Sequence, residues 1–120
     1  MLVITESFLK KELKPLRKYY TVQNIKKSVC KINTSAIYLA RLGYRHGKFL
    51  KIRMAHKIAG RLIIYVFTNK NIITPIIMRL KKDKIFGENL SLNNKKGKNL
   101  ILKMLDFSIN DIKNGRYKKI

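Results

Sequence analysis

Between Leu9 and Tyr20 the apolar side chains return at spacings of four, three and four: Leu9, Leu13, Leu16, Tyr20. That is the single stripe of an amphipathic helix. Lys10, Lys11, Lys14, Arg17 and Lys18 fill its other faces. Pro15 lacks an N–H and clashes with the carbonyl four residues back, so this helix is predicted to kink there or to end before its stripe does. Ahead of it, Leu2, Val3 and Ile4 form a short apolar run suited to an edge strand. A second helical pattern begins with Ile25, Val29 and Ile32. Further apolar positions follow at Ile37, Leu39 and Leu42, with Asn33-Thr34-Ser35 as an interruption and Gly43 as a C-terminal stop.

After Gly43 the period changes from about 3.6 to 2. Leu50, Ile52 and Met54 alternate with Lys51, Arg53 and Ala55, which predicts a half-buried strand over 48–55 with two cations on its open face. Ala59-Gly60 breaks the pattern. Arg61 to Phe67 is rich in β-branched and aromatic residues and predicts a strand over 61–68. Asn69-Lys70-Asn71 reads as a hairpin turn into a third strand over 72–81, where Pro75 demands an edge position or a bulge. The helical period returns around Leu100, Ile101, Met104 and Leu105, behind Lys95, Lys96 and Lys98. The last residues, 110–120, are polar and basic, and are expected to be loosely held. These elements predict an α+β fold. N-terminal helices pack on one face of a small antiparallel sheet, and a further helix lies near the C-terminus. Residues 1–120 read as one domain with a core over about 4–105.

Charge sharpens this picture. The chain of 120 residues carries 28 Lys and Arg against 6 Asp and Glu, a formal charge of +22. From Leu13 through Lys82 there is no acid, while seventeen basic residues fall in that stretch. A compact domain so charged repels itself, and a bound polyanion or an acidic protein partner relieves the repulsion, phosphate being the obvious counter-charge through ion pairing and counterion release. An anionic membrane is a poorer fit, because neither N-terminal helical pattern sets a clean apolar face against a wholly basic one. No run approaches the roughly 18 apolar residues of a membrane span, and Glu6 ends the N-terminal apolar run too early for a signal peptide. The expected location is therefore the cytoplasm. The single cysteine, Cys30, has no partner for a disulfide or a zinc site and reads as a small buried residue on a helix. No metal and no cofactor are expected. The scattered acids offer no spaced carboxylate pair, and no glycine-rich phosphate loop or nucleophile elbow is present.

With one sheet face under helices, the other is expected to be open. If Lys51, Arg53, Arg61, Tyr65 and Arg79 converge there, they make a cationic floor with one aromatic ring, a surface for phosphates and an unstacked base.

The order of these pieces resembles a known family. A lysine-rich helix from Phe8 to Tyr20 and a second helix precede Leu50-Lys51-Ile52-Arg53-Met54. Then come Gly60-Arg61-Leu62-Ile63-Ile64-Tyr65-Val66 and a strand running into Arg79-Leu80-Lys81-Lys82-Asp83. Over roughly Ile4 to Leu105 the chain is similar to the RelE/ParE toxin superfamily of bacterial toxin–antitoxin modules. The resemblance to the RelE-like branch implies helices packed on an antiparallel sheet. It also implies a metal-independent endoribonuclease (an mRNA interferase) that cleaves mRNA, generally on the ribosome. The ribose 2′-OH attacks the adjacent phosphate and a 2′,3′-cyclic phosphate results.

By that resemblance Arg61 is the phosphate clamp. Lys51 and Arg53 position the backbone or share the role of base, and Lys81 and Lys82 match a basic pair that follows the last strand. Arg79 is a further candidate for binding RNA, and Tyr65 for stacking on a base. Where some members carry a tyrosine or histidine after the basic pair, this chain has Lys84, Ile85 and Phe86, which leaves His56 or His46 as the substitute. Fixed guanidinium groups suit the charge that gathers on phosphate oxygens, and crowding by cations lowers a lysine pKa toward the range of a base. The implied partners are an acidic antitoxin, mRNA and the ribosome. Two other readings stay open: a ParE-like toxin that binds DNA gyrase, and an RNA- or ribosome-binding protein without activity.

Overall fold

The computed structural model describes residues 2–30, 36–39, 47–55, 59–67, 71–80 and 95–120. The chain opens with strand β1 (Val3–Thr5) and turns at once into helix α1 (Glu6–Phe8), the start of a segment that first widens and then tightens. A π turn follows over Leu9–Leu13, then a 3-10 turn over Lys14–Leu16 with Pro15 at its start. The proline thus ends the helix, as its missing N–H requires, and Tyr20 reaches the core from beyond the helical segment. Helix α2 (Val22–Cys30) comes next. Its cap is reciprocal across one turn: the Thr21 N–H donates to Asn24 Oδ1 at 2.8 Å and the Asn24 N–H to Thr21 Oγ1 at 3.3 Å.

Among the described residues, strands β2 (Ala36–Leu39), β3 (Gly47–Ala55), β4 (Ala59–Phe67) and β5 (Ile72–Leu80) form one antiparallel sheet in chain order. The α+β architecture is the one expected, with two differences in its strands. Ile37 and Leu39 belong to a strand, not to the end of the second helix. A short apolar run does not distinguish the two periods by itself, and pairing with β3, Ala36 opposite Ile52 through Leu39 opposite Phe49, decides for the strand. Gly60 lies inside β4 and does not break it. A Cβ there would come within 2.6 Å of the Tyr20 hydroxyl, so the bare glycine is what lets the buried Tyr20 ring lie against the strand. Pro75 behaves as expected: β5 is the outer strand of this sheet, and its register against β4 slips between Ile63 and Ile64, where Ile77 and Pro75 stand opposite. Asn71, entering β5, has φ of 53°, the left-handed turn conformation asparagine tolerates. Residues 68–70 of that turn lie outside the described residues.

Alternation sorts the strand residues into two cores. Leu50, Ile52, Met54, Leu62, Ile64 and Met78 pack beneath Phe8, Leu13, Tyr20, Ile25 and Val29 of the N-terminal segment. On the opposite face Phe49, Ile63, Tyr65, Ile76 and Ile77 meet Ile101, Met104 and Leu105 of helix α3 (Lys95–Lys113). The second face, expected to be open, is therefore covered along its apolar part. Its aromatic and β-branched side chains need burial as much as those of the first face.

The C-terminal residues are not loose. Helix α3 ends in a glycine cap: Gly115 has φ of 73°, the Arg116 N–H donates to the Asp111 carbonyl at 2.8 Å, and the Gly115 N–H to the Ile112 carbonyl at 3.3 Å. The reversal sends strand β6 (Tyr117–Lys119) antiparallel along β1, and Leu2 bridges to Ile73 of β5. The same junction satisfies the first turn of α1. The Glu6 N–H donates to the Arg116 carbonyl at 3.0 Å, the Ser7 N–H to Asp111 Oδ2 at 2.7 Å, and the Phe8 N–H to Thr5 Oγ1 at 3.3 Å. Among the described residues no helix is long and apolar enough to cross a membrane.

Candidate nucleic-acid interface

Strand register settles where the cations meet. Arg53 of β3 stands directly opposite Arg61 of β4, and Arg61 stands directly opposite Arg79 of β5. Three arginines thus form a row across three neighbouring strands. Lys51, two residues before Arg53, shares its face and pairs with Ile63. The row and Lys51 continue the face that carries Phe49, Ile63, Tyr65 and Ile77, so α3 takes the apolar end and the cations occupy the other. Arg53 is exposed, while Lys51, Arg61 and Arg79 are half-buried.

Like charges directly opposite one another on a sheet are destabilising, and this row is not neutralised evenly. Among the described residues no carboxylate forms an ion pair with Lys51, Arg53 or Arg61, whereas Arg79 is paired. Its Nε donates to Glu12 Oε1 at 3.1 Å and its Nη2 to Glu12 Oε2 at 3.0 Å. Burial, and then the Arg61 and Arg53 charges, lower the pKa of Lys51 below that of an ordinary lysine. A lysine whose pKa is lowered gives up its proton more readily than an ordinary one, and it does so here beside two guanidinium groups suited to an anion.

The candidate residues thus fall into three groups. Arg61, Lys51 and Arg53 come together. Arg79 is aligned with them but committed to Glu12. Tyr65 corrects the expectation: it is 2 % exposed and packs against Phe49 and Phe67, with ring centroids 4.9 and 4.8 Å away. It also lies over Gly47, where a Cβ would land 1.8 Å from its hydroxyl. The ring is part of the core beneath α3, and its faces are taken by protein, not left for a base. Lys81, Lys82, His46 and His56 lie outside the described residues, as does the side chain of Cys30.

Glu12 is the residue that sequence reasoning passed over. It is 2 % exposed, and its Oε1 also accepts the Met78 N–H on β5 at 3.0 Å. Its signal was present: an acid three residues after Leu9 and four before Leu16 sits on the apolar stripe itself. Among the described residues no three His, Cys, Asp or Glu side chains gather into a metal-binding set. Compared with models of known protein families, with characterised proteins and with solved structures, the chain matches none.

Proposed function

We propose that this protein is an RNA-cleaving toxin of the RelE-like kind, a metal-independent endoribonuclease acting on mRNA, with an acidic antitoxin as its partner. The observation that carries the reading is the register of Arg53, Arg61 and Lys51: two guanidinium groups and a lysine of lowered pKa on one sheet face. In this reading Arg61 and Arg53 hold the non-bridging oxygens of the scissile phosphate. Lys51, in its deprotonated form, takes the proton of the ribose 2′-OH as that oxygen attacks phosphorus. The new O2′–P bond forms as the P–O5′ bond breaks; O5′ leaves with the bonding pair and takes a proton from solvent, giving a 2′,3′-cyclic phosphate and a 5′-hydroxyl end. Guanidinium groups stay charged throughout, so they stabilise the charge on the phosphate oxygens without taking part in proton transfer. The α+β layering supports the same reading, as the resemblance implies helices packed on an antiparallel sheet.

Induced expression in a bacterial host tests it. The expected result is growth arrest, with transcripts cut inside translated frames and ending in 2′,3′-cyclic phosphate, and loss of both in Arg61→Ala. Arrest with DNA damage and intact transcripts would instead identify a gyrase-directed toxin. Harmless expression with retained RNA binding would identify a protein that binds without cutting.

A further inference from the structure

The Glu12–Arg79 pair stands at the end of the arginine row and changes what the row offers to a ligand. Glu12 reaches it from the π turn, and its side chain is 1 % exposed. Two carboxylate oxygens meet two guanidinium nitrogens, the strong bidentate arrangement, and the Met78 N–H fixes the same carboxylate to the edge of β5. Water has little access to compete for this carboxylate. The opposite case holds for Arg53 and Arg61, which face each other in register with no carboxylate paired to them among the described residues.

We infer that Glu12 withdraws Arg79 from the anion-binding row, so that an RNA strand meets Arg53, Arg61 and Lys51 as its counter-charges, and that this pair sets how tightly the strand is held. The inference rests on the RNA-binding reading above. Its physical logic is that of uniform binding. A third free guanidinium would grip substrate and product backbones alike, tightening the complex without favouring the transition state. Neutralised by Glu12, Arg79 still braces the sheet edge but adds no such grip. Glu12 is accordingly a positioning residue, acting through Arg79.

The test is equilibrium binding of the full chain to a fluorescent single-stranded RNA oligonucleotide over a series of salt concentrations. Each phosphate neutralised on a single strand contributes about −0.7 to the slope of log K against log salt. Glu12→Gln keeps an acceptor for the Met78 N–H and the shape of the side chain, but removes the charge that holds Arg79. Its slope is expected to steepen by about 0.7, so that affinity falls about 2.6-fold further than in the wild type between about 50 and 200 mM salt. The gain should vanish in the Glu12→Gln, Arg79→Gln double variant, which a general loosening of the fold would not produce. A second comparison does not depend on the folding of the single variant: the Glu12→Gln, Arg79→Gln double variant, which removes both charges of the pair together, should keep the wild-type slope, whereas Arg61→Gln should lose about 0.7. An unchanged slope in folded Glu12→Gln, or equal losses in the double variant and Arg61→Gln, overturns the inference while leaving the RNA-binding reading in place. Failure of the wild-type chain to bind the oligonucleotide overturns both.

Discussion

Replacing Asp111 should unfasten both ends of the chain at once. The residue is 4 % exposed, and its carboxylate accepts the Ser7 N–H at 2.7 Å and meets Arg116 Nε at 3.2 Å. In Asp111→Ala the part-buried Ser7 N–H loses a charged acceptor, a bond of a kind that contributes about 1.5–3 kcal/mol. Arg116 is 45 % exposed, so its share is near the surface-pair range of about 0–1 kcal/mol. Together the variant should lose about 2–4 kcal/mol. With an unfolding entropy of about 2.1 cal/mol/K per residue, a chain of this length melts about 4 °C lower for each kcal/mol lost. The expected fall in Tm is therefore about 8–16 °C by calorimetry or circular dichroism at neutral pH.

Asp111→Asn, which keeps an acceptor but not the charge, should lose less at neutral pH, and its deficit should depend on pH. Burial raises the Asp111 pKa, but hydrogen bonds from Ser7 and the Arg116 charge outweigh it and leave the carboxyl below its ordinary value of 3.8. A depressed acid stabilises the fold fully above its unfolded pKa and loses that contribution as pH falls through the folded one. The gap between wild type and Asp111→Asn should thus hold above pH 3.8 and close below it. An Asp111→Ala variant melting within about 2 °C of wild type, or an Asn gap that persists undiminished in acid, would refute the reasoning.

Three further outcomes can be measured. Arg53→Gln removes one of the charges that depress the Lys51 pKa; since the neutral amine is the proposed base, the rising limb of the RNA-cleavage pH profile should move to higher pH, and an unmoved limb excludes Lys51 from that role. Gly60→Ala presses a Cβ within 2.6 Å of the Tyr20 hydroxyl but leaves the next ring atoms at 3.1 and 3.2 Å, so it should destabilise by about 1–3 kcal/mol and be partly relieved by Tyr20→Phe in a urea-unfolding cycle. Gly47→Ala meets the Tyr65 hydroxyl and two of its ring carbons at 1.8 to 2.6 Å and should be worse, with no relief from Tyr65→Phe, because the ring carbons collide as well as the hydroxyl.

The two-face pattern of β3 and β4 was legible because side chains alternate across a strand whatever lies on either side. For the same reason the helical stripe through Leu9, Leu13 and Leu16, the proline that ends it, and the slip at Pro75 could be read from residue order. Ile37 and Leu39 could not, since a short apolar run fits either period until a neighbouring strand claims its hydrogen bonds. The local polarity of the tail concealed that β1 had an edge for it to pair with. Tyr65 shares the face of Arg61, as alternation requires, but its burial depends on α3, some forty residues later in the chain.

Residue order alone therefore determined the fold class, the faces of the strands and the excess of positive charge, all properties of local period and composition. Only the tertiary structure set Arg53, Arg61 and Arg79 in one row, gave Arg79 to Glu12 and covered the apolar part of the second face with α3. Backbone hydrogen bonds are the same for every residue with an N–H, so nothing local states which residue will stand opposite which. That choice belongs to the packing of the whole chain.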